Sequence, residues 1–336
     1  MTNRDKILIT VVALMSIAIL ASQAHRGDFG VLAATSSAEG AFDRTLTVNG
    51  PVQLSLENGA GGVTITRGAT DKVEIHAKIR AHGWFGGGDP EAVRQLEQKP
   101  PVEQTGNNIR IFKPEPQGEF RNIAITYDIT APEQTSVESH TGSGAQRIEG
   151  LKGPVKARSG SGSVTINNIG SQIEARAGSG HITLNNINGR ADLETGSGGV
   201  DANDIAGGVK VHTGSGGIDV KQSAPGDVEA EAGSGHIRLS GLEGAVHARC
   251  GSGGITVDGI PKDSWQFHSG SGSIEVRTLG NVGLDLRAHT SSGRVNVEGP
   301  ITIESGELNK RDVSGKIRGG GVTLEASTGS GSIYIR

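Results

Sequence analysis

The stretch Val155-Lys156-Ala157-Arg158-Ser159-Gly160-Ser161-Gly162-Ser163-Val164-Thr165-Ile166-Asn167-Asn168-Ile169 decides the fold, because its phrasing returns along the chain. Gly160-Ser161-Gly162 is followed by Gly178-Ser179-Gly180, Gly196-Ser197-Gly198, Gly214-Ser215-Gly216, Gly233-Ser234-Gly235, Gly251-Ser252-Gly253 and Gly270-Ser271-Gly272. The steps between first glycines are 18, 18, 18, 19, 18 and 19 residues. A fixed period of this size is the mark of stacked repeat units.

Around each triplet, apolar and polar residues alternate. Val155, Ala157 and Ser159 precede the first one, with Lys156 and Arg158 between them; Val164 and Ile166 follow, separated by Thr165. The next unit gives Ile173, Ala175, Ala177, Ile182, Leu184 and Ile187 in the same frame. Period two is the signature of a strand buried on one face. Each unit therefore holds two short strands, joined by the Gly-Ser-Gly corner and closed by a turn rich in Asn, Gly and Asp. Glycine tolerates the positive φ that tight corners demand, and Asn tolerates it better than most residues.

A flat meander of two strands per unit would make an open sheet wider than the ~10 strands such sheets usually reach. A coil instead piles equivalent positions ~4.8 Å apart, so that like residues recur in columns. The position before the triplet reads Ser159, Ala177, Thr195, Thr213, Ala232, Cys250, Ser269, a column of small side chains. The expected fold is all-β: a β-solenoid of ~18-residue coils, a parallel β-helix whose hand is right by the general crossover rule.

Four segments follow. Residues 1–24 read as a signal peptide or N-terminal membrane anchor: Arg4 and Lys6, an apolar run over 7–21, and Ser22-Gln23-Ala24. Residues 25–40 are a small, polar tether. Residues 41–140 hold irregular N-terminal coils and a cap, with a helix at 90–98 that opens on Asp89-Pro90 and covers the solenoid end. Residues 141–336 carry the regular repeats. Beyond Gly272 the phrase loosens to Ser291-Ser292-Gly293 and Val313-Ser314-Gly315, returns at Gly329-Ser330-Gly331, and stops on 333–336, which reads as an uncapped edge strand.

Without Arg4, Asp5 and Lys6 the chain has 30 basic and 35 acidic residues, a net of −5, which argues against a nucleic-acid partner. The single cysteine, Cys250, excludes an internal disulfide.

The iterated Gly-Ser-Gly-x-(Ile/Val)-x-(Val/Leu) unit behind an export-type N-terminus resembles the bacterial β-strand-repeat family labelled "putative adhesins". The likeness spans residues 42–336. It implies a right-handed β-helix at the cell envelope, and the family offers no catalytic motif to carry over.

Candidate chemistry is sparse. Cys250 reads as a small core filler in its column. His181 and His236, like His212 and His268, lie three coils apart, about 14 Å, too far to share a metal. Asp201 and Asp219 follow glycine pairs as in calcium-binding repeats, but other units place Thr165, Thr183, Arg238 or Thr256 there. The outward columns mix signs, so exposed pairs such as Arg176 with Glu194 are expected. Trp265 and Phe267 fall in the inward frame. Trp84 and Phe85, adjacent aromatics between glycines, are candidate partner contacts, as are Ile333 and Tyr334 on the terminal strand.

No cofactor, metal or catalytic site is expected. The leading functional reading is a non-catalytic, exported binding or adhesion surface for an envelope glycan, lipid or protein. A self-assembling scaffold paired through the C-terminal edge is the second. A carbohydrate-active enzyme using carboxylates such as Asp192 and Glu194, or Glu229 and Glu231, is the third.

Overall fold

In each repeat the alternating residues leave no choice of face. Val155, Ala157 and Ser159 are buried while Lys156 and Arg158 stay outside; Val164, Ile166 and Ile169 are buried across the corner. The structure, a computed structural model, describes residues 38–82, 88–114, 122–299, 301–302 and 310–336. Strands before the corners assemble into a 15-stranded sheet and strands after them into a 14-stranded one. Successive repeats pair in parallel, and in the 15-stranded sheet Val155 lies beside Ile173, then Ala191, then Val209. In the other sheet the register shifts by a bulge where Ile205 meets Gln222 and where Leu242 meets Gly259. The molecule is a two-sheet parallel β-solenoid with its core between the sheets, as the period predicts.

The corner column does more than fill space. Thr195 Oγ1 donates to the Gly180 carbonyl of the preceding rung at 3.0 Å and accepts from the Gly198 N–H at 3.1 Å. Thr213 makes the same pair of bonds with Gly198 and Gly216, at 2.9 and 3.0 Å. Ser269, Thr290 and Thr328 donate in the same way. Wherever it carries a hydroxyl, the column ties a rung to its neighbour through groups that would otherwise be buried without partners; Ala177 and Ala232 only fill space. Cys250 donates Sγ–H to the Gly235 carbonyl at 3.1 Å, and burial above all pushes its thiol pKa up. It is an inert member of the same column.

At corners such as those ending in Gly198 and Gly216 the second glycine of the triplet is needed for a reason other than φ. A Cβ at Gly198 would overlap the Gly180 carbonyl, and one at Gly216 the Gly198 carbonyl. Backbone stacks on backbone at this corner, and no side chain fits between. Positive φ is found at the later corners, as at Gly235 and Gly253 (147° and 148°), and at the second turn, where Asn168, Asn186 and Asp204 have φ of 55°, 56° and 56°. There the amides run as a ladder: Asn185 Nδ2 donates to Asn167 Oδ1 at 2.9 Å, and Asn186 to Asn168 at 2.8 Å.

The solenoid starts earlier than the repeat phrase indicates. Val52–Asn58 and Val63–Arg67 form a full rung under Thr135–Thr141 and Gln146–Glu149. Asn58 is buried at its corner and donates to Gly61 O and Ile125 O. The residues before and between these rungs build the cap: Ala38–Thr47, Lys72–Ala81 and Ile123–Ala131 pair antiparallel, and the hairpin of Val102–Thr105 with Asn108–Ile111 closes the other sheet. The helix Pro90–Gln98 forms where expected. Asp89 Oδ1 accepts from the Glu91 and Ala92 N–H groups, and Ala92, Val93 and Leu96 are buried.

Outermost in its sheet, Ala38–Thr47 has three of its main-chain groups bonded to side chains. Ala41 N donates to Glu97 Oε1, Arg44 Nη1 to Asp43 O, and Gln104 Nε2 to Thr47 O. Blunting of this kind protects an edge from foreign strands.

The C-terminal end departs from the expected regular order. Leu284–Ser292 does not stack on Trp265–Ser271; Val322–Ser330 lies between them, parallel to both. Likewise Ile333–Ile335 lies between Ile274–Thr278 and Val295–Val297. The chain passes over one rung position, builds the outer rung, folds back along Asp312–Ile317, and returns to fill the space. The 333–336 stretch is thus an interior strand, not the open edge the sequence suggests. Pairing through it is closed because both of its sides are occupied. Ser314-Gly315 lies within the antiparallel strand rather than at a corner.

Candidate functional site

Three hollows run end to end along the outer face of the 15-stranded sheet. Their volumes are about 870, 690 and 720 Å³. The first and second share Arg190; the second and third share His247 and Gln266. Together they make one shallow groove from Arg110 on the cap hairpin to Asp312 on the folded-back strand.

Alternation positions the outward strand side chains of this face, while Arg190 and Asp227 reach the groove from the turns between strands. One outward column reads Arg110, Ser55, Glu138, Lys156, Glu174, Asp192, Lys210, Glu229, His247, Gln266 in spatial order. The next reads Glu57, His140, Arg158, Arg176, Glu194, His212, Glu231, Arg249, His268. Successive members stand one strand spacing apart, ~4.8 Å.

Charges along the middle of this face neutralise one another, some inside the hollows and some beside them. Lys156 meets Glu138 at 3.3 Å, Arg158 meets Glu174 at 2.9 Å, and Lys210 meets Glu229 at 3.0 Å. Arg176 lies between Glu174 at 3.3 Å and Glu194 at 3.5 Å, the pair the sequence leads one to expect. Burial would raise the Glu174 carboxyl pKa, but the Arg158 hydrogen bond and the charges of Lys156 and Arg176 hold it below the usual carboxylate range.

Toward the far end the pairing loosens and histidines gather. Arg249 is 4.0 Å from Glu231 and Arg287 is 3.8 Å from Glu325. His268 Nδ1 lies 2.9 Å from Ser327 Oγ, and His289 Nδ1 3.3 Å from Asp312. Among the described residues, no three His, Cys, Asp or Glu side chains are placed to hold a metal ion.

The other candidates scatter. Trp84 and Phe85 lie outside the described residues. Ile333 is buried, and Tyr334 is part-exposed on the opposite sheet, flanked by Glu275 and Asn296. Asp201 pairs with His181 at 2.8 Å and Asp219 with Arg238 at 3.1 Å, so neither turns toward a shared cation. Glu231 sits between His212 and Arg249. Trp265 and Phe267 are core, packed edge to face at 6.0 Å, and Trp265 Nε1 donates to Gly244 O. The continuity of the groove into the cap was not readable, because Asn108 and Arg110 belong to no repeat. The alternating outward columns were its one sequence signal. Among the described residues, no helix is long and apolar enough to cross a membrane.

A family model described as Toastrack DUF4097 matches residues 157–336. Among solved structures, a "putative cell adhesion protein" from Clostridium sporogenes is similar at 14% identity and a TM-score of 0.26, covering 88% of this chain and 99% of its own. A "putative adhesin" from Bacteroides fragilis matches at 13% and 0.32, covering 88% and 97%, and one from Parabacteroides distasonis at 10% and 0.33, with the same coverages. No curated protein is significantly similar to this sequence.

Proposed function

The chain belongs to the Toastrack DUF4097 family, and on that footing we propose that it is a non-catalytic, exported surface of the cell envelope that binds an extended polar partner along the groove. The continuous groove carries this reading. Its side chains repeat every strand spacing and several of them pair with one another, an arrangement suited to many weak contacts with a long ligand rather than to attack on one bond. The charged start and apolar run of residues 1–24 support export.

The test is an array of envelope glycans, lipids and proteins probed with the purified protein and two variants. Lys156→Glu with Arg190→Glu alters the groove; Thr183→Glu alters the opposite sheet. Binding that the groove pair weakens at least tenfold, and that Thr183→Glu leaves alone, supports the proposal. Binding indifferent to the groove pair, or none at all, removes it.

A further inference from the structure

The closing segment, residues 322–336, occupies a slot one rung wide. Leu324 and Ala326 are buried between the 265–271 and 284–292 strands, and Ile333 and Ile335 between 274–278 and 295–297. The ladder is complete on both sides: Gly272 N donates to Ser330 O, Gly331 N to Ser292 O, and Arg336 N to Val276 O. Thr328 Oγ1 donates down to Gly272 O, and Thr290 Oγ1 of the outer rung donates to Gly331 O, both through the corner column.

Whatever fills this slot must bring the same phrase. A Cβ at position 331 would strike the Gly272 carbonyl, and one at 293 the Gly331 carbonyl. The occupant therefore needs a glycine at that corner, a hydroxyl three residues before it, and apolar residues in the inward frame. An unrelated strand lacks this combination; another copy of this chain has it in full.

The segment hangs on a short hinge. Arg318, Gly319, Gly320 and Gly321 have φ of 54°, 85°, 82° and 153°. They carry the chain from Asp312–Ile317, on one side of Leu284–Ser292, to Val322–Ser330 on the other. Their ties are few: Gly320 N to Ile317 O at 3.2 Å, Arg318 Nη1 to Val282 O at 3.4 Å, and, at the first residue of the segment, Val322 N to Gly283 O at 3.1 Å. Three glycines can adopt extended or left-handed backbone at little steric cost.

We propose that the closing rung is exchangeable and that its partner is a second copy of this chain, each copy seating its residues 322–336 in the slot of the other. Closed monomer and exchanged dimer make the same contacts within the slot, so concentration and hinge geometry decide between them. This route needs no open edge and does not depend on what the groove binds.

The test uses the full chain in a Cys250→Ser background, a change the corner column accommodates since Ser159 and Ser269 occupy it elsewhere. His268 and Ser327 are register partners on neighbouring parallel strands, a separation that suits a disulfide. One sample carries His268→Cys and Ser327→Cys together; a second mixes the two single variants. The double variant is expected to oxidise to a linked monomer. The mixed sample should give a disulfide-linked dimer whose yield rises with concentration, and rises further when Gly319 and Gly320 are deleted. A mixed sample that stays monomeric at every concentration, while the double variant links, overturns the proposal. So does a dimer formed equally by His268→Cys with Glu194→Cys, two positions that do not face each other in the stack.

Discussion

Between residues 155 and 278 the order of rungs in space is their order in the chain; between 279 and 336 it is not. Both regions obey the same columns. Ser159, Thr195 and Thr213 in the middle do what Thr290 and Thr328 do at the end, and Gly198 meets its neighbour as Gly331 does. The repeat phrase thus specifies which atoms meet, and leaves open which two laps bring them together. The final arrangement is settled by the hinge and by Asp312–Ile317, which occupies the outer side of Leu284–Ser292 and leaves the inner side to be filled.

Breaking a column should hurt most. Gly198→Ala forces a methyl onto the Gly180 carbonyl, and the expected loss is roughly 4 kcal/mol or more by chemical denaturation. The comparison is Gly280→Ala, a φ of +79° with open space around it, which should lose only about 1 kcal/mol. Near-equal losses would mean that close stacking is not what selects glycine.

Next in size is the packing of the closing rung itself. Leu324→Ala is expected to lose about 2–5 kcal/mol, as should Leu184→Ala in the middle, since both are fully buried. A Leu324→Ala loss far below that of Leu184→Ala would show the end to be the looser region.

Smaller again is the corner hydroxyl. Thr195→Val orphans a buried carbonyl and an N–H, an expected loss of about 1–3 kcal/mol. The reverse change, Ala177→Thr, should gain up to about 1 kcal/mol by completing a tie the column lacks there. Thermal midpoints of both variants check it.

The smallest effect concerns acid. Burial, and then the Arg238 charge, lower the pKa of His236, while His181 in the same column faces Asp201. Protonation of His236 is therefore easier in the unfolded chain than in the folded one. Its neutral form gives full stability above the ordinary histidine range near pH 6.5, and stability drains as pH falls through that value. His236→Gln should retain more of its pH 7.5 midpoint at pH 5 than the parent does; an unchanged or steeper acid loss would contradict the sign.

Much of the architecture was legible because period-two burial and an 18-residue lap leave few alternatives. Trp265, Phe267, the Asp89-capped helix and the Arg176–Glu194 pair all follow from spacing alone. Other features were hidden for definite reasons. Small residues at 159, 195 and 213 look like fillers until the neighbouring carbonyl is in view, since their hydrogen-bond partners are some 15 residues away in sequence. The rung at 52–67 was hidden because its corner reads Gly59-Ala60-Gly61 rather than Gly-Ser-Gly, and Asn58 replaces the small residue before it. The inserted terminal lap has no sequence signal of its own, because its phrase fits equally well above or below its neighbour.

That insertion has a bearing on how such a molecule changes length over generations. A lap duplicated at the carboxyl terminus would find no vacant berth, since the terminus already lies pinned beneath an outer layer. A lap duplicated between 155 and 278 meets like faces above and below and displaces nothing. The ladder is most readily lengthened by splicing rungs into its middle, where each new lap meets the same faces above and below.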